Sequence, residues 1–133
     1  MTVSPSGEEY ASFGRVEVEE ELPRFLKRLN AFRHEYETSH SRDLALSSDL
    51  HLPASVCHYE RGRTYVKIVA AFTAECFSPH IFGFIRLADG AILKPASWKA
   101  PYTRGIHAVR GYIFDEDVSI ACDYYGVRYY RGP

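Results

Sequence analysis

The sequence predicts an α+β domain: an N-terminal amphipathic helix packed on a three- to four-stranded antiparallel sheet, followed by an irregular C-terminal loop region. Three observations carry this. Between Leu22 and Tyr36 the apolar residues recur at steps of three and four. From Ser55 onward the period changes to two. An Asp89-Gly90 pair separates two of the alternating runs, a hairpin signal. The helix is expected to cover the apolar face of the sheet, because a small sheet is unstable with that face wet. At 133 residues the chain has the length of one domain.

Residues 1–14 contain Pro5, Gly7 and Gly14 among several Ser, and read as a flexible arm. Residues 15–133 form the single predicted domain. Val16 and Val18 alternate with Arg15, Glu17 and Glu19, which suits a short strand. The helix follows, with Leu22, Phe25, Leu26, Leu29, Phe32 and Tyr36 as its apolar stripe. Glu19, Glu20 and Glu21 fall where the helix dipole favours negative charge, and Pro23 fits a first turn. The helix is expected to stop around Thr38–Ser41. A polar connector runs to Pro53, with one helical turn suggested at 43–46.

Ser55 to Glu60 is then a strand and Arg61-Gly62-Arg63 a turn. Thr64 to Phe72 is the clearest strand, with Val66, Ile68, Ala70 and Phe72 on one face and Tyr65, Lys67 and Val69 on the other. Ala74 to Pro79 connects it to a strand from His80 to Leu87, with Phe82, Phe84 and Arg86 on one face. Asp89-Gly90 predicts a type I′ turn leading into a return strand, Ala91 to Lys94. Pro95 and Pro101 prevent that strand from continuing. Ile113 and Phe114 read as buried, Asp115 to Asp117 as the cap of one turn, and Val118 to Ala121 and Tyr124 to Tyr130 as short extended pieces.

The net charge of −1 excludes a uniformly basic nucleic-acid coat but conceals an uneven distribution. Residues 1–50 hold ten carboxylates and six Lys or Arg; residues 51–133 hold seven and ten. No carboxylate occurs from residue 90 to 114, and that window carries Lys94, Lys99, Arg104 and Arg110 with Trp98 and Tyr102. Cations interleaved with flat rings suit a ligand bearing phosphates and bases: the cations meet the phosphates and the rings stack on the bases. A secondary patch of the same character is Arg61, Arg63, Tyr65 and Lys67. Trp98 has two readings, a base-stacking platform or a plug in the core. Lone Trp residues in small domains tend toward burial, which favours the plug.

Catalytic patterns are absent. There is no Gly-rich phosphate loop and no His or Cys spacing for a metal site, so neither catalytic residues nor metal ligands nor a cofactor are assigned. Cys57 and His58 are strand neighbours pointing to opposite sides. Cys57, Cys76 and Cys122, an odd number, read as buried free thiols of a reducing compartment. The first twelve residues contain Glu8 and Glu9 and no apolar run, so no signal peptide is expected. No apolar stretch reaches the about 20 residues that span a bilayer. A cytoplasmic protein without membrane contact is expected.

Gly62-Arg63-Thr64-Tyr65, the Asp89-Gly90 hairpin, Lys94-Pro95-Ala96-Ser97-Trp98-Lys99-Ala100-Pro101 and Arg110-Gly111-Tyr112-Ile113-Phe114-Asp115 together resemble a family of small uncharacterised proteins encoded by tailed bacteriophages. The likeness covers roughly residues 59–118, with Thr103-Arg104-Gly105-Ile106 as an extension relative to it. It implies a phage product acting in the bacterial cytoplasm and carries no established activity.

Two functional readings remain. One is a non-catalytic binder of nucleic acid or a nucleotide through Lys94, Lys99, Arg104 and Arg110 as phosphate ligands, with Trp98 and Tyr102 as stacking rings. The alternative is a protein-interaction module that inhibits a host protein, its exposed aromatics serving as hot spots. Hairpin edges and surface Tyr also make a homodimer plausible.

Overall fold

The computed structural model of the chain describes residues 14–39, 56–71 and 80–128. Helix α1 (Arg15–Ser39) lies against a five-stranded antiparallel meander. The strands follow chain order: β1 (Val56–Arg61), β2 (Tyr65–Ala71), β3 (His80–Arg86), β4 (Ala91–Leu93) and β5 (Val109–Tyr112). The α+β class is as the sequence predicts, with one strand more. The arm at residues 1–13, the connector to Pro53, the Ala74–Pro79 connection and Cys76 lie outside the described residues.

The helix begins earlier than its strongest periodicity. Residues 15–19 are helical rather than a strand, because Val18 lies one turn before Leu22 and extends the stripe that Phe25 and Leu29 continue; all four are buried. Glu17 closes the first turn by accepting the Gly14 N–H at 2.9 Å. Pro23 therefore falls two turns inside α1, not in its first turn. Glu21 is likewise no dipole partner but an ion-pair acceptor, for Arg24 at 3.0 Å and Arg28 at 2.8 Å. The stripe does not run on to Tyr36 in full: the next fully buried position is Arg33, 2% exposed. Its Nε donates to the Tyr124 carbonyl at 3.1 Å, and its guanidinium stacks over Tyr124 at 4.8 Å. A delocalised cation with fork geometry tolerates such burial where a lysine would not.

The helix-facing side of the sheet supplies Cys57, Val66, Ile68, Ala70, Ile85, Leu87 and Ile92 to one core with α1. The alternation predicted for β3 fails at one point. Ile68 pairs with Gly83 but Val69 pairs with Ile81, so Phe82 is the extra residue of a β-bulge. The bulge turns Phe82 into the helix-side core, while Phe84 faces the other way and joins Leu93 and Ala108 in a second cluster. Gly83 is required beside the bulge, since a Cβ there would fall 2.5 Å from Val127 Cγ2.

The loop after β3 is not a type I′ turn. Among the described residues positive φ occurs only at Gly90 and Gly105, so Asp89 keeps an ordinary backbone. Instead the Gly90 N–H reaches back to the Arg86 carbonyl at 2.8 Å, and Asp89 accepts two hydrogen bonds from Arg86 at 3.0 and 2.8 Å. The segment read as irregular after Pro101 contains β5, which pairs with β4 around a second bulge at Arg110. Val118–Ile120 is a 3-10 turn rather than an extended piece, with Asp117 as its N-cap accepting from the Ser119 N–H. Ile113 is fully buried and Phe114 partly so.

Candidate ligand-binding groove

Helix α1 covers one face of the sheet; residues 94–108 fold over part of the other. The two prolines that stop β4 also shape this cover. Pro95 and Pro101 face each other as an isolated bridge, and the loop closes through backbone N–H groups that proline does not remove. Ala96 and Ser97 donate to the Ala100 carbonyl at 2.9 and 3.1 Å, and Tyr102 donates to Lys94 at 2.7 Å. Ser97 Oγ accepts the Lys99 N–H at 3.2 Å. The closed loop presents Trp98 and Lys99 at its tip.

Trp98 is no core plug. It remains 46% exposed on the outer side of the sheet, because its loop leaves the sheet before reaching either core. The Nζ of Lys67, on the outward face of β2, lies 4.8 Å from the Trp98 ring centroid. This cation–π contact joins the two regions that the sequence kept apart, the carboxylate-poor loop and the β1–β2 hairpin. Between them runs a groove of about 410 Å³. Arg61, Arg63, Lys67 and Lys99 line it with a single carboxylate, Glu60. Its floor is aromatic: Tyr65 meets Phe84 edge-on, with centroids 6.4 Å apart.

Strand register explains the assembly. Glu60 pairs with Lys67, Lys67 with Phe84 and Tyr65 with Arg86, so all share the face opposite α1. Arg61 alternates to the helix side and forms an ion pair with Glu19, which fixes the hairpin against α1. The hairpin is also tied down by Asn30. Its side chain accepts the Cys57 N–H at 2.8 Å and donates to the Cys57 carbonyl at 3.0 Å, occupying the outer edge of β1.

The remaining sequence-predicted residues are placed elsewhere. Lys94 donates to the Val127 carbonyl at 2.7 Å, and Arg110 donates to the Arg128 carbonyl at 3.1 Å. Both hold the C-terminal segment rather than line the groove. Burial and the neighbouring Arg110 lower the pKa of Lys94. Arg104 and Tyr102 are exposed on the loop, outside the groove lining. Thr64, Glu60 and Phe84 belong to the groove and were not singled out from sequence; only strand register, which sequence does not print, could reveal them. Elsewhere, burial pushes the Cys57 thiol up to about 11 against the opposing influence of Arg33, and raises Cys122 further. Neither is an activated nucleophile. Among the described residues no group of three His, Cys, Asp or Glu could hold a metal ion, and no helix is long and apolar enough to cross a membrane.

A family model described as a family of unknown function (DUF7717) matches residues 15–131. The chain belongs to this family. The match starts at the first residue of α1 and spans the sheet and both loops that form the groove, so these are features of the DUF7717 domain in this chain. Comparison with curated proteins and with solved structures yields no match.

Proposed function

We propose that the chain is a small, non-catalytic cytosolic binding protein that engages nucleic acid or a nucleotide at the groove between the β1–β2 hairpin and the 94–101 loop. The carrying observation is the contact of Lys67 with Trp98, which sets a half-exposed indole beside the groove that Lys67 lines with Arg63 and Lys99 over an aromatic floor. Phosphates are attracted by Arg63, Lys67 and Lys99, while bases find a flat partner in Trp98. With Arg61 balanced by Glu19, three cations against Glu60 leave the lining electropositive in a chain whose net charge is −1. The resemblance around Lys94–Asp115 supports a setting in the bacterial cytoplasm, as a phage product.

Trp98 is the only tryptophan, so fluorescence excited at the red edge, where the 10 Tyr do not absorb, reports on this loop alone. Titration at low salt with oligonucleotides and a nucleotide panel is expected to change that fluorescence saturably, and Lys99→Glu to abolish the change. A flat response to every ligand, with the fold intact, refutes the proposal.

A further inference from the structure

Resting on that reading, we infer that the groove takes a single-stranded polynucleotide with little base preference, its bases stacking on Trp98 and its phosphates meeting Arg63, Lys67 and Lys99. Three observations separate this ligand from a free nucleotide and from a duplex.

The first is the character of the lining. Sites for small molecules enclose most of the ligand and fix it with a few placed polar groups. In this groove Arg63, Thr64 and Lys99 are all exposed and line open rims, while the buried part of the floor is the ring of Phe84. Nothing polar and buried among the lining residues reads a base edge. Such a trough holds a strand that passes through it better than a single nucleotide that must be enclosed.

The second is the state of Trp98. Lys67 lies over the ring at 4.8 Å, and the indole remains 46% exposed. A cation lies against the ring, and nearly half of the residue's surface is still accessible to a base. Stacking of this kind tolerates every base, because each has a π-face, and it requires unpaired bases. A duplex offers only its phosphates.

The third is the count of available cations. Arg61 is engaged by Glu19, which leaves Arg63, Lys67 and Lys99. Neutralising three phosphates of a single strand predicts a slope of about −2 in log K against log salt concentration, at roughly 0.7 per contact.

The test uses the full chain and fluorescein-labelled oligonucleotides of about twelve residues, within the span one small domain covers. Oligo(dT), oligo(dA) and the matching RNA are compared with a blunt-ended two-strand duplex of the same length, and with unlabelled thymidine and adenosine monophosphates as competitors. The single strands are expected to bind within about tenfold of one another, with a salt slope of about −2 that Lys99→Ala reduces to about −1.4. Duplex binding is expected to be at least about tenfold weaker, given the loss of stacking on Trp98. Competition by either monophosphate as strong as by the unlabelled strand, or equal affinity for the duplex, overturns the single-strand assignment while leaving the groove as a binding site. A spread among the single strands well beyond tenfold overturns the lack of base preference. Absence of binding by every probe overturns both this inference and the functional reading on which it rests.

Discussion

Replacing Asn30 by Ala probes the joint that holds the groove wall in place. Asn30 makes two hydrogen bonds with the backbone of Cys57, at 2.8 and 3.0 Å, and Cys57 is 1% exposed. Each bond contributes about 0.5–1.5 kcal/mol net, so their loss costs about 1–3 kcal/mol. Ala is the better helix former by about 0.5 kcal/mol, which offsets part of this. The net destabilisation is about 1.5 kcal/mol, or a fall in Tm of about 6 °C for a domain of this size. Asn30→Asp isolates one half of the pair. It retains an acceptor for the Cys57 N–H but sets a carboxylate oxygen against the carbonyl, so it should lose at least as much stability at neutral pH. Thermal and urea unfolding of the three proteins measures both effects. Because β1 is an edge strand, removing its Asn30 cover should also raise self-association in size-exclusion chromatography. If both variants melt with the wild type or above it, the account of α1 and β1 as one joined unit is wrong.

Trp98→Ala is expected to leave the fold cooperative and to cost far less than the about 3–5 kcal/mol of a core aromatic truncation, while weakening ligand binding by about 1–3 kcal/mol. Paired unfolding and fluorescence-anisotropy measurements with a labelled ligand check it, and a strongly destabilised variant that still binds contradicts it. Gly83→Ala places a Cβ 2.5 Å from Val127 Cγ2 and 3.2 Å from the Leu93 carbonyl, and should destabilise by about 1–3 kcal/mol in urea unfolding through overpacking. For Asp89, burial alone would raise the carboxyl pKa, but hydrogen bonds from Arg86 and the Ala91 N–H hold it below its ordinary value. A lowered folded pKa contributes stability that is present above the unfolded value of about 3.9 and is lost as pH falls through the folded one. Asp89→Asn should therefore be less stable than wild type at pH 7, with the gap closing below about pH 4. A gap independent of pH would contradict this.

The sequence was most legible where one physical pattern acted alone. The period of α1 and the alternation of β2 each reflect one buried face; β2 lies within a residue of its expected bounds, whereas α1 starts two turns early, at Arg15, where alternation suggested a strand. The strand missed at Val109–Tyr112 is short and bulged at Arg110, and none of its residues is fully buried, so no alternation marks it. A period-two count puts Phe82 on the wrong face, because an extra residue in one strand is invisible to it. The burial of Arg33 leaves no signal in the periodicity, because burial of a guanidinium depends on Tyr124, which is distant in sequence. The site divided in the same way. Within the hairpin patch Tyr65 and Lys67 share the outward face that alternation predicts, while Arg61 turns to the helix side and pairs with Glu19. The union of that patch with Trp98 and Lys99 depends on how the 94–101 loop folds back over the sheet, a tertiary matter, and so does the diversion of Lys94 and Arg110 to the tail carbonyls.

The central claim is that the ligand site is the groove, not the whole carboxylate-poor window. Amide and indole chemical-shift mapping with a single-stranded oligonucleotide tests it most directly. The account predicts shifts at Arg63–Lys67, at Lys99 and at the single Trp98 indole N–H, with Arg110 and Val127 unmoved. Shifts centred on Lys94, Arg110 and the 122–128 segment, with the Trp98 indole unmoved, would contradict it.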